Sequence, residues 1–221
     1  MRFDVAVFRK FAFALLTGLL FVGFAMPGAS AQGAAVEGRQ YSRIGPVPVE
    51  TGKKIEVIEF FSYGCPHCAE IEPYLVDWLK AQPADVAFRR VPVMFQPRWV
   101  ELAKVFYTLE TMGEEAKLTP EVFSAIHSKG LALWEPAKFY DWAATKGLDR
   151  KKVEDTWNSF GVASRMSRAK SVAQAYNIQS VPTVIVDGKF ITASDRVGGH
   201  ALLPGAIDVL VAKARAERPK G

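Results

Sequence analysis

Apolar residues change their spacing along the chain, and each spacing predicts a different element. Ile55–Phe61 is nearly continuous in apolar character and rich in β-branched and aromatic residues, as in a central strand buried on both faces. Beyond it, Ile71, Leu75 and Trp78 recur at helical spacing. Pro66 suits the first position of a helix, where its missing N–H costs nothing. This region therefore predicts a strand, a turn and then a helix that begins at Pro66.

A second strand-forming region lies near the C-terminus. Residues 180–193 predict a β-hairpin, with Asp187-Gly188 as its turn and Val181-Pro182 at the opening of its first strand. Together with the first region, this hairpin predicts an α/β core.

The residues between these two regions carry only helical patterns. One helix is expected to start at Thr119, which would cap it, with Pro120 behind the cap. Two shorter helices follow within residues 135–147 and 149–161, each with a capped start and a terminal glycine, and a longer helix spans about residues 162–176. The pattern predicts an all-helical insertion that interrupts the α/β core.

The N-terminal 31 residues have the order of a secretory signal peptide. Basic residues precede an uncharged apolar run at residues 11–26, and small residues occupy positions 29–31. An uncleaved membrane anchor is the alternative, but the run falls short of the roughly 20 residues that span a bilayer. We therefore predict export, with cleavage after Ala31.

Charge and cysteine count narrow the function classes. The 221 residues carry a formal net charge of +5 without a block of Lys or Arg, which gives little support for nucleic-acid binding. The two cysteines are Cys65 and Cys68. A chain of this size buries a core without covalent help, and a bridge over two intervening residues closes almost no loop. A structural disulfide is therefore a poor explanation, which leaves a reactive pair or a metal site.

The position of Cys65 favours a reactive pair. We expect Cys65 to be exposed at the N-terminus of the helix, where free backbone N–H groups and the helix dipole favour a negatively charged sulfur. Cys68 lies about one turn further on, closer to the packed side, and a protonated His67 would add to the effect. The pKa of Cys65 should fall. Because a stabilised thiolate stabilises the reduced form, the disulfide should be a strong oxidant.

The sequence Cys65-Pro66-His67-Cys68 after EFFSYG resembles the active site of DsbA-type thiol:disulfide oxidoreductases. The segment DTWNSFGVASRM also resembles the corresponding helical segment of that family. The resemblance implies an α/β thioredoxin fold with an all-helical domain inserted between its two halves. The domain limits that we expect are a thioredoxin-like domain in two halves, 32–97 and 178–221, and an inserted helical domain, 98–177, after a signal peptide, 1–31.

The resemblance also implies how the site works. A substrate thiolate would attack Cys65 to form a mixed disulfide, and Cys68 would resolve it. His67 would stabilise the Cys65 thiolate as a leaving group. Pro182 would be cis and face the cysteines, where Val181-Pro182 holds the substrate backbone.

The setting of the reaction follows from the same resemblance. The protein is expected to act in the periplasm as a monomer and to donate its disulfide to folding secreted proteins with free thiols. A DsbB-like membrane oxidase with a quinone behind it would restore the disulfide. No organic cofactor, metal or nucleic acid is expected.

Glu59 is an unusual residue for a central strand. Strand alternation places it on the same face as Val57 and Phe61, where a carboxylate is costly unless it is paired or protonated. In the resembling family, a buried acid six residues before the first cysteine assists proton movement. A solvated Glu59 at a partly open strand end is the alternative. Arg90 is one candidate partner in the next strand, and Arg89 is equally plausible.

Two other functions compete with the oxidase. A reductase or isomerase would use the same fold, although isomerases of this class usually carry a dimerisation domain for which this chain has no room. A metal-binding or metal-delivery protein would use Cys65, Cys68 and His67, but a closed zinc site normally needs four ligands. His127 and His200 show no ligand spacing to the cysteines and are expected to be structural or surface residues.

Overall fold

The computed structural model describes residues 35–218, which form a five-stranded sheet with helices on both faces. The strands and helices, in chain order, are β1 (Tyr41–Arg43), β2 (Ile55–Phe61), α1 (Pro66–Lys80), β3 (Val86–Pro92), α2 (Pro97–Thr111), α3 (Glu115–Phe123) with a π-helical turn (Ser124–Ser128), α4 (Pro136–Thr145), α5 (Arg150–Trp157), α6 (Phe160–Ala175), β4 (Thr183–Val186), β5 (Phe190–Thr192), α7 (Ser194–Val197), a 3-10 turn (His200–Leu202) and α8 (Leu203–Glu217).

The predicted signal peptide, residues 1–31, lies outside the described residues. Within residues 35–218, none of the helices combines the length and the apolar character that a membrane crossing requires.

Strand β2 is central in the sheet, whose strand order is β1-β5-β4-β2-β3. It runs parallel to β3 and antiparallel to β4, and all seven of its residues are buried. Ile58 and Phe60 pack on the face that carries the helical region, whereas Ile55 and Val57 pack on the opposite face with residues of α1 and α8. A strand covered on both faces needs apolar residues at successive positions, which explains the near-continuous pattern in the sequence.

Several predicted elements are confirmed. The strand Ile55–Phe61 and the helix start at Pro66 agree with the structure. The hairpin is β4 and β5, and its turn residues Asp187 and Gly188 have φ of 54° and 65°. These left-handed values are those of a tight hairpin turn, for which Asp-Gly is a preferred pair.

The predicted all-helical insertion is also confirmed, since the chain between β3 and β4 forms only helices, α2 to α6. Aromatic rings join this region to the sheet. Phe61, the last residue of β2, makes an edge-on contact with Phe106 at a centroid distance of 5.4 Å, and Tyr63, two residues later, makes one with Phe123 at 5.1 Å. The helical region therefore packs directly against the end of β2, where the cysteines follow.

The start predicted for one helix is wrong. Helix α3 begins at Glu115, and Thr119 lies within it, buried, with Pro120 next to it. The Thr119 hydroxyl is 2.8 Å from the Tyr63 hydroxyl and donates to Glu115 Oε1 at 3.0 Å. Because the distant Tyr63 and the side chain of Glu115, one turn earlier in α3, occupy the hydroxyl, it does not cap a helix end.

A glycine predicted to end a helix is also placed differently. Gly161 lies in the first turn of α6, which starts at Phe160 with Ser159 as its N-cap. Helix α5 has already ended at Trp157. The Ser159 hydroxyl accepts a hydrogen bond from the backbone N–H of Val162, and this cap sets the boundary between the two helices.

Candidate active site

The turn between β2 and α1 presents Cys65 as the N-cap of the helix. Its sulfur accepts a hydrogen bond from the backbone N–H of Cys68 at 3.4 Å, and Pro66 occupies the first helical position. Gly64 precedes the cysteine and packs so closely that an added Cβ would lie 2.5 Å from Trp99 Nε1. The turn therefore needs a residue without a side chain directly before the first cysteine.

Cys65 is less accessible than the sequence predicts. Its relative exposure is 5%, and that of Cys68 is 0%, so the prediction of an exposed Cys65 is wrong. The sulfur of Cys65 lies 3.7 Å from the carbonyl oxygen of Val181, within reach of an S–H hydrogen bond. The Val181-Pro182 peptide bond is cis, and this loop lies directly against the sulfur. Tertiary packing of a distant segment is what shields Cys65.

The two sulfurs have opposite pKa shifts. The pKa of Cys65 is lowered to about 7, mainly by a hydrogen bond from the Cys68 S–H. Hydrogen bonds from the backbone N–H groups of Cys68 and His67 and the charge of His67 also lower it, whereas burial opposes them. Burial is the main cause that raises the pKa of Cys68. Cys65 therefore holds the negative charge when the pair is reduced, as it is here with both thiols free.

His67 projects into solvent beside Cys65 and contacts a carboxylate. Its Nδ1 lies 2.8 Å from Glu70 Oε2, and this hydrogen bond and the negative charge raise the pKa of His67. His67 favours the Cys65 thiolate through its backbone N–H and its charge, but the charge is the smallest of the effects that lower the Cys65 pKa. His67 therefore lowers the pKa of Cys65, in the predicted direction, but Cys68 lowers it more.

Beneath the cysteines, a single guanidinium is shared by three carboxylates, which we call the buried charge cluster. Arg90 donates to Glu59 Oε2 at 2.9 Å, to Glu72 Oε2 at 2.8 Å and to Glu115 Oε1 at 3.0 Å. Glu59 is completely buried, which excludes a solvated Glu59 at an open strand end. One positive charge cannot balance three negative charges at this depth, so the cluster favours retaining a proton.

The pKa values agree with a retained proton. Burial raises the pKa of Glu59 against the opposing charge of Arg90, and it raises the pKa of Glu72 to about 8 in the same way. Glu59 and Glu72 each keep one buried oxygen with no hydrogen-bond partner among the described residues. The negative charge of Glu59 also contributes to the raised pKa of Cys68. The cluster is therefore electrostatically linked to the second cysteine.

The pairing of β2 with β3 decides between the two candidate arginines. In the parallel register, Glu59 is opposite Arg90, and Arg90 is its partner. Arg89 points to the other face, where its Nε donates to Glu56 Oε2 at 2.8 Å. Strand alternation leaves the choice open, and only the register between the strands resolves it.

Comparison with known proteins agrees with this geometry. Residues 78–201 match the model of the DSBA-like thioredoxin domain family. The thiol:disulfide interchange protein DsbA of Pseudomonas aeruginosa is 41% identical over 184 residues, which is 83% of this chain and 87% of that protein. DsbA of Bordetella parapertussis is 38% identical over 191 residues, 86% and 89% of the two chains.

Solved structures show the same relationship. The crystal structure of Pseudomonas aeruginosa DsbA matches with a TM-score of 0.77 at 41% identity, over 81% of this chain and 94% of that one. That of oxidoreductase DsbA from Xylella fastidiosa gives 0.77 at 28% identity, over 83% and 99%. This chain belongs to the DsbA family.

As a member of the DsbA family, the chain is a thiol:disulfide oxidoreductase with a thioredoxin-like fold that acts on protein thiols through its own disulfide. The fold and function implied by the resemblance are thus confirmed. The competing interpretation as a metal-delivery protein built on both cysteines is not supported. Among the described residues, the His, Cys, Asp and Glu side chains that could hold a metal together are His67, Glu70 and His200, without either cysteine.

Three residues near this DsbA-type site escaped the sequence analysis. Glu72 follows Cys68 by four residues, so helical spacing could have placed it on the same buried face. Glu115 comes from α3, and no local signal connects it to Arg90. His200 was expected to be structural or at the surface, yet its Nε2 lies 3.0 Å from Glu70 Oε2 at the start of α1.

Proposed function

We propose that this protein is a dithiol oxidase that donates a Cys65–Cys68 disulfide to exported proteins while they fold. The unequal environment of the two sulfurs supports this direction of transfer. Cys65 is a helix N-cap whose pKa is lowered to about 7, whereas burial raises the pKa of Cys68. A stabilised Cys65 thiolate lowers the free energy of the reduced protein relative to the disulfide, so electrons pass from substrate thiols to this pair.

Transfer takes place in two exchange steps. A substrate thiolate attacks the Cys65 sulfur of the disulfide and forms a mixed disulfide while the Cys65–Cys68 bond breaks. Cys68 leaves with the electron pair and takes up a proton, in accord with its raised pKa. A second substrate thiolate attacks the substrate sulfur of the mixed disulfide, and Cys65 leaves as a thiolate. The substrate gains one disulfide, and the protein gains two electrons.

Two side chains assist these steps. His67 stabilises the departing Cys65 thiolate through its backbone N–H and its positive charge. Glu59 exchanges a proton with Cys68, because it is buried, has a raised pKa and keeps one oxygen without a hydrogen-bond partner in the described part of the chain. A buried carboxyl group with a raised pKa is suited to accept and release a proton during the reaction.

The cis Val181-Pro182 loop positions the substrate. The Val181 carbonyl oxygen lies 3.7 Å from the Cys65 sulfur, so an extended substrate chain that pairs with Val181 brings its own cysteine to the point of attack. Pro66 contributes by starting the helix directly after Cys65, which leaves the N–H groups of the first turn directed at the sulfur.

The proposal includes the surroundings of the enzyme. Residues 1–31 direct export to the periplasm, and the mature chain works there as a monomer with folding proteins as substrates. The mature chain is divided into a thioredoxin-like domain, residues 32–97 and 178–221, and a helical domain, residues 98–177. A DsbB-like membrane oxidase accepts the two electrons and passes them to a quinone. The chemistry needs no organic cofactor, because the disulfide itself carries the electrons.

The equilibrium of Cys65–Cys68 with a glutathione redox buffer tests the direction of transfer. We expect a pair much more oxidising than glutathione, so that the protein remains largely reduced even when oxidised glutathione is in excess. A pair more reducing than glutathione would contradict the oxidase and favour a reductase of the same fold.

Two substitutions test the assignment of the cysteines. Cys65→Ser should lose all disulfide transfer to a reduced, unfolded protein. In the glutathione buffer, the Cys65 thiolate of Cys68→Ser should attack oxidised glutathione and release one glutathione thiolate. The resulting mixed disulfide between Cys65 and glutathione should accumulate, visible as a covalent adduct by mass spectrometry, because the internal thiol that would resolve it is absent. Retained transfer by Cys65→Ser would contradict the mechanism.

A further inference from the structure

The beginning of α1 and the 3-10 turn near the C-terminus bring three potential metal ligands together. His67 Nδ1 and His200 Nε2 lie 2.8 Å and 3.0 Å from the same oxygen of Glu70, and all three ligand atoms are within 4.8 Å of one another. We call these three residues the exposed His-Glu-His cluster. The mechanism above uses His67 but does not require such a convergence.

The backbone accounts for the convergence. His67 and Glu70 are three residues apart in the first turn of α1, so they share one face of the helix. Gly198 and Gly199 have φ of 94° and 139°, values that side chains other than glycine rarely adopt, and they turn the chain so that His200 follows directly. Two separate pieces of backbone thus hold ligands against one another.

We propose that the His-Glu-His cluster is a binding site for a divalent metal ion of the zinc type. Two imidazoles and one carboxylate form a ligand set that zinc accepts with a fourth position open. In a tetrahedral site, ligand atoms are separated by about 3.4 Å, so the two contacts to Glu70 need to widen by about 0.5 Å. The two imidazole nitrogens, which lie within 4.8 Å of each other, need to approach by at most about 1.4 Å. The side chains of His67 and Glu70 are 69% and 55% exposed, which allows this adjustment and admits the ion.

The ion is expected to exchange readily. A zinc-bound imidazole normally donates its other ring N–H to a second partner that fixes its orientation. The Nδ1 of His200 is buried and has no hydrogen-bond partner among the residues that the structure describes. The site therefore resembles an open, exchangeable position more than a closed structural zinc site. Neither Cys65 nor Cys68 is a ligand in the cluster, although His67 lies beside Cys65.

Calorimetric titration of the oxidised protein with Zn²⁺ tests the site, since oxidation removes both thiols as competing ligands. We expect saturable binding of one ion per chain. Glu70→Gln and His200→Gln should each weaken the affinity by about tenfold or more, since even changes in groups that only support a ligand cost that much. Unchanged affinity in both variants, or the absence of saturable binding of one ion, would overturn the proposal.

Matched variants and a measurement on the unaltered protein complete the design. Asp77→Asn removes an exposed carboxylate from the same helix, and His127→Gln removes the third histidine; both should keep the zinc affinity. In nuclear magnetic resonance spectra of the unaltered protein, Zn²⁺ should shift the ring signals of His67 and His200 and leave those of His127 in place. Equal shifts in all three histidines would contradict the site even if one variant failed to fold.

Discussion

Glu70 and Glu72 lie two residues apart on α1 and experience opposite environments. Side chains at this spacing do not share a helix face. Glu72 is 3% exposed and binds Arg90 in the buried charge cluster, whereas the Glu70 side chain is 55% exposed and contacts His67 and His200. Burial raises the pKa of Glu72 to about 8, and hydrogen bonding to His67 lowers the pKa of Glu70.

Glu70 and Glu72 each have a basic partner at 2.8 Å, so pairing alone does not explain why their pKa values shift in opposite directions. What differs is solvation and the number of competing carboxylates. In the buried cluster, removal from water and the charges of Glu59 and Glu115 outweigh the attraction of Arg90. In the exposed cluster, the desolvation cost is smaller than the attraction of His67. A glutamate on the buried face of α1 therefore favours its protonated form, whereas a glutamate on the exposed face favours its ionised form.

The largest expected effect is that of Arg90→Met. The substitution leaves three carboxylates without their shared cation, and loss of one partner from a buried pair typically costs about 3–5 kcal/mol of the free energy of unfolding. The loss should be greatest above neutral pH and smaller in acid, because the raised pKa values of Glu59 and Glu72 favour their neutral forms as the pH falls. Denaturant unfolding at several pH values measures it. Arg150→Met, which removes the cation of an exposed pair with Asp141, should leave the midpoint unchanged. Equal midpoints for the two variants would show that the buried cluster has no special stabilising effect.

Glu72→Gln and Glu70→Gln should change the pH dependence of stability in opposite directions. Between its ordinary pKa of 4.5 and its folded value of about 8, Glu72 binds more protons in the folded than in the unfolded chain, so it lowers stability as the pH rises. Glu70 has a lowered pKa, so its stabilising contribution is present above 4.5 and is lost as the pH falls through the folded value.

The measurement is the free energy of unfolding from pH 3 to 9. The stability advantage of Glu72→Gln over the unaltered protein should grow as the pH rises from about 4.5 to 8. Glu70→Gln should lack part of the stability that the unaltered protein gains as the pH rises toward 4.5. Slopes of the same sign in the two variants would contradict the contrast between the clusters.

The smallest expected effect concerns the reactive sulfur. Removal of the Cys68 thiol should raise the pKa of Cys65 more than removal of the His67 side chain, because the Cys68 S–H is the largest contribution to the lowered value and the His67 charge the smallest. Ultraviolet absorbance of the thiolate in reduced Cys68→Ala and His67→Ser measures both, against about 7 in the unaltered protein. His67→Ser should also make the pair slightly less oxidising. A larger shift in His67→Ser than in Cys68→Ala would reverse this ranking.

Local patterns predict local structure well in this chain. The bounds of β2, the helix start at Pro66 and the Asp187-Gly188 turn follow from residue spacing and from the backbone preferences of proline and glycine. The prediction fails at Thr119, whose hydroxyl is equally suited to a helix cap and to hydrogen bonds with Glu115, one turn earlier in the same helix, and with the distant Tyr63. The residues around Thr119 give no sign of the contact with Tyr63.

The sequence by itself determined the reactive pair and its place at a helix N-terminus, because both follow from residue type and short-range spacing. It placed an acid at Glu59, whose complete burial only the fold decided. Only the tertiary structure decided that the Val181 loop covers Cys65, that Arg90 serves three carboxylates and that His200 meets His67 across Glu70. The physical reason is that electrostatics and accessibility depend on distance through space. The partners that set them here, from Glu115 to His200, lie far from the cysteines along the chain.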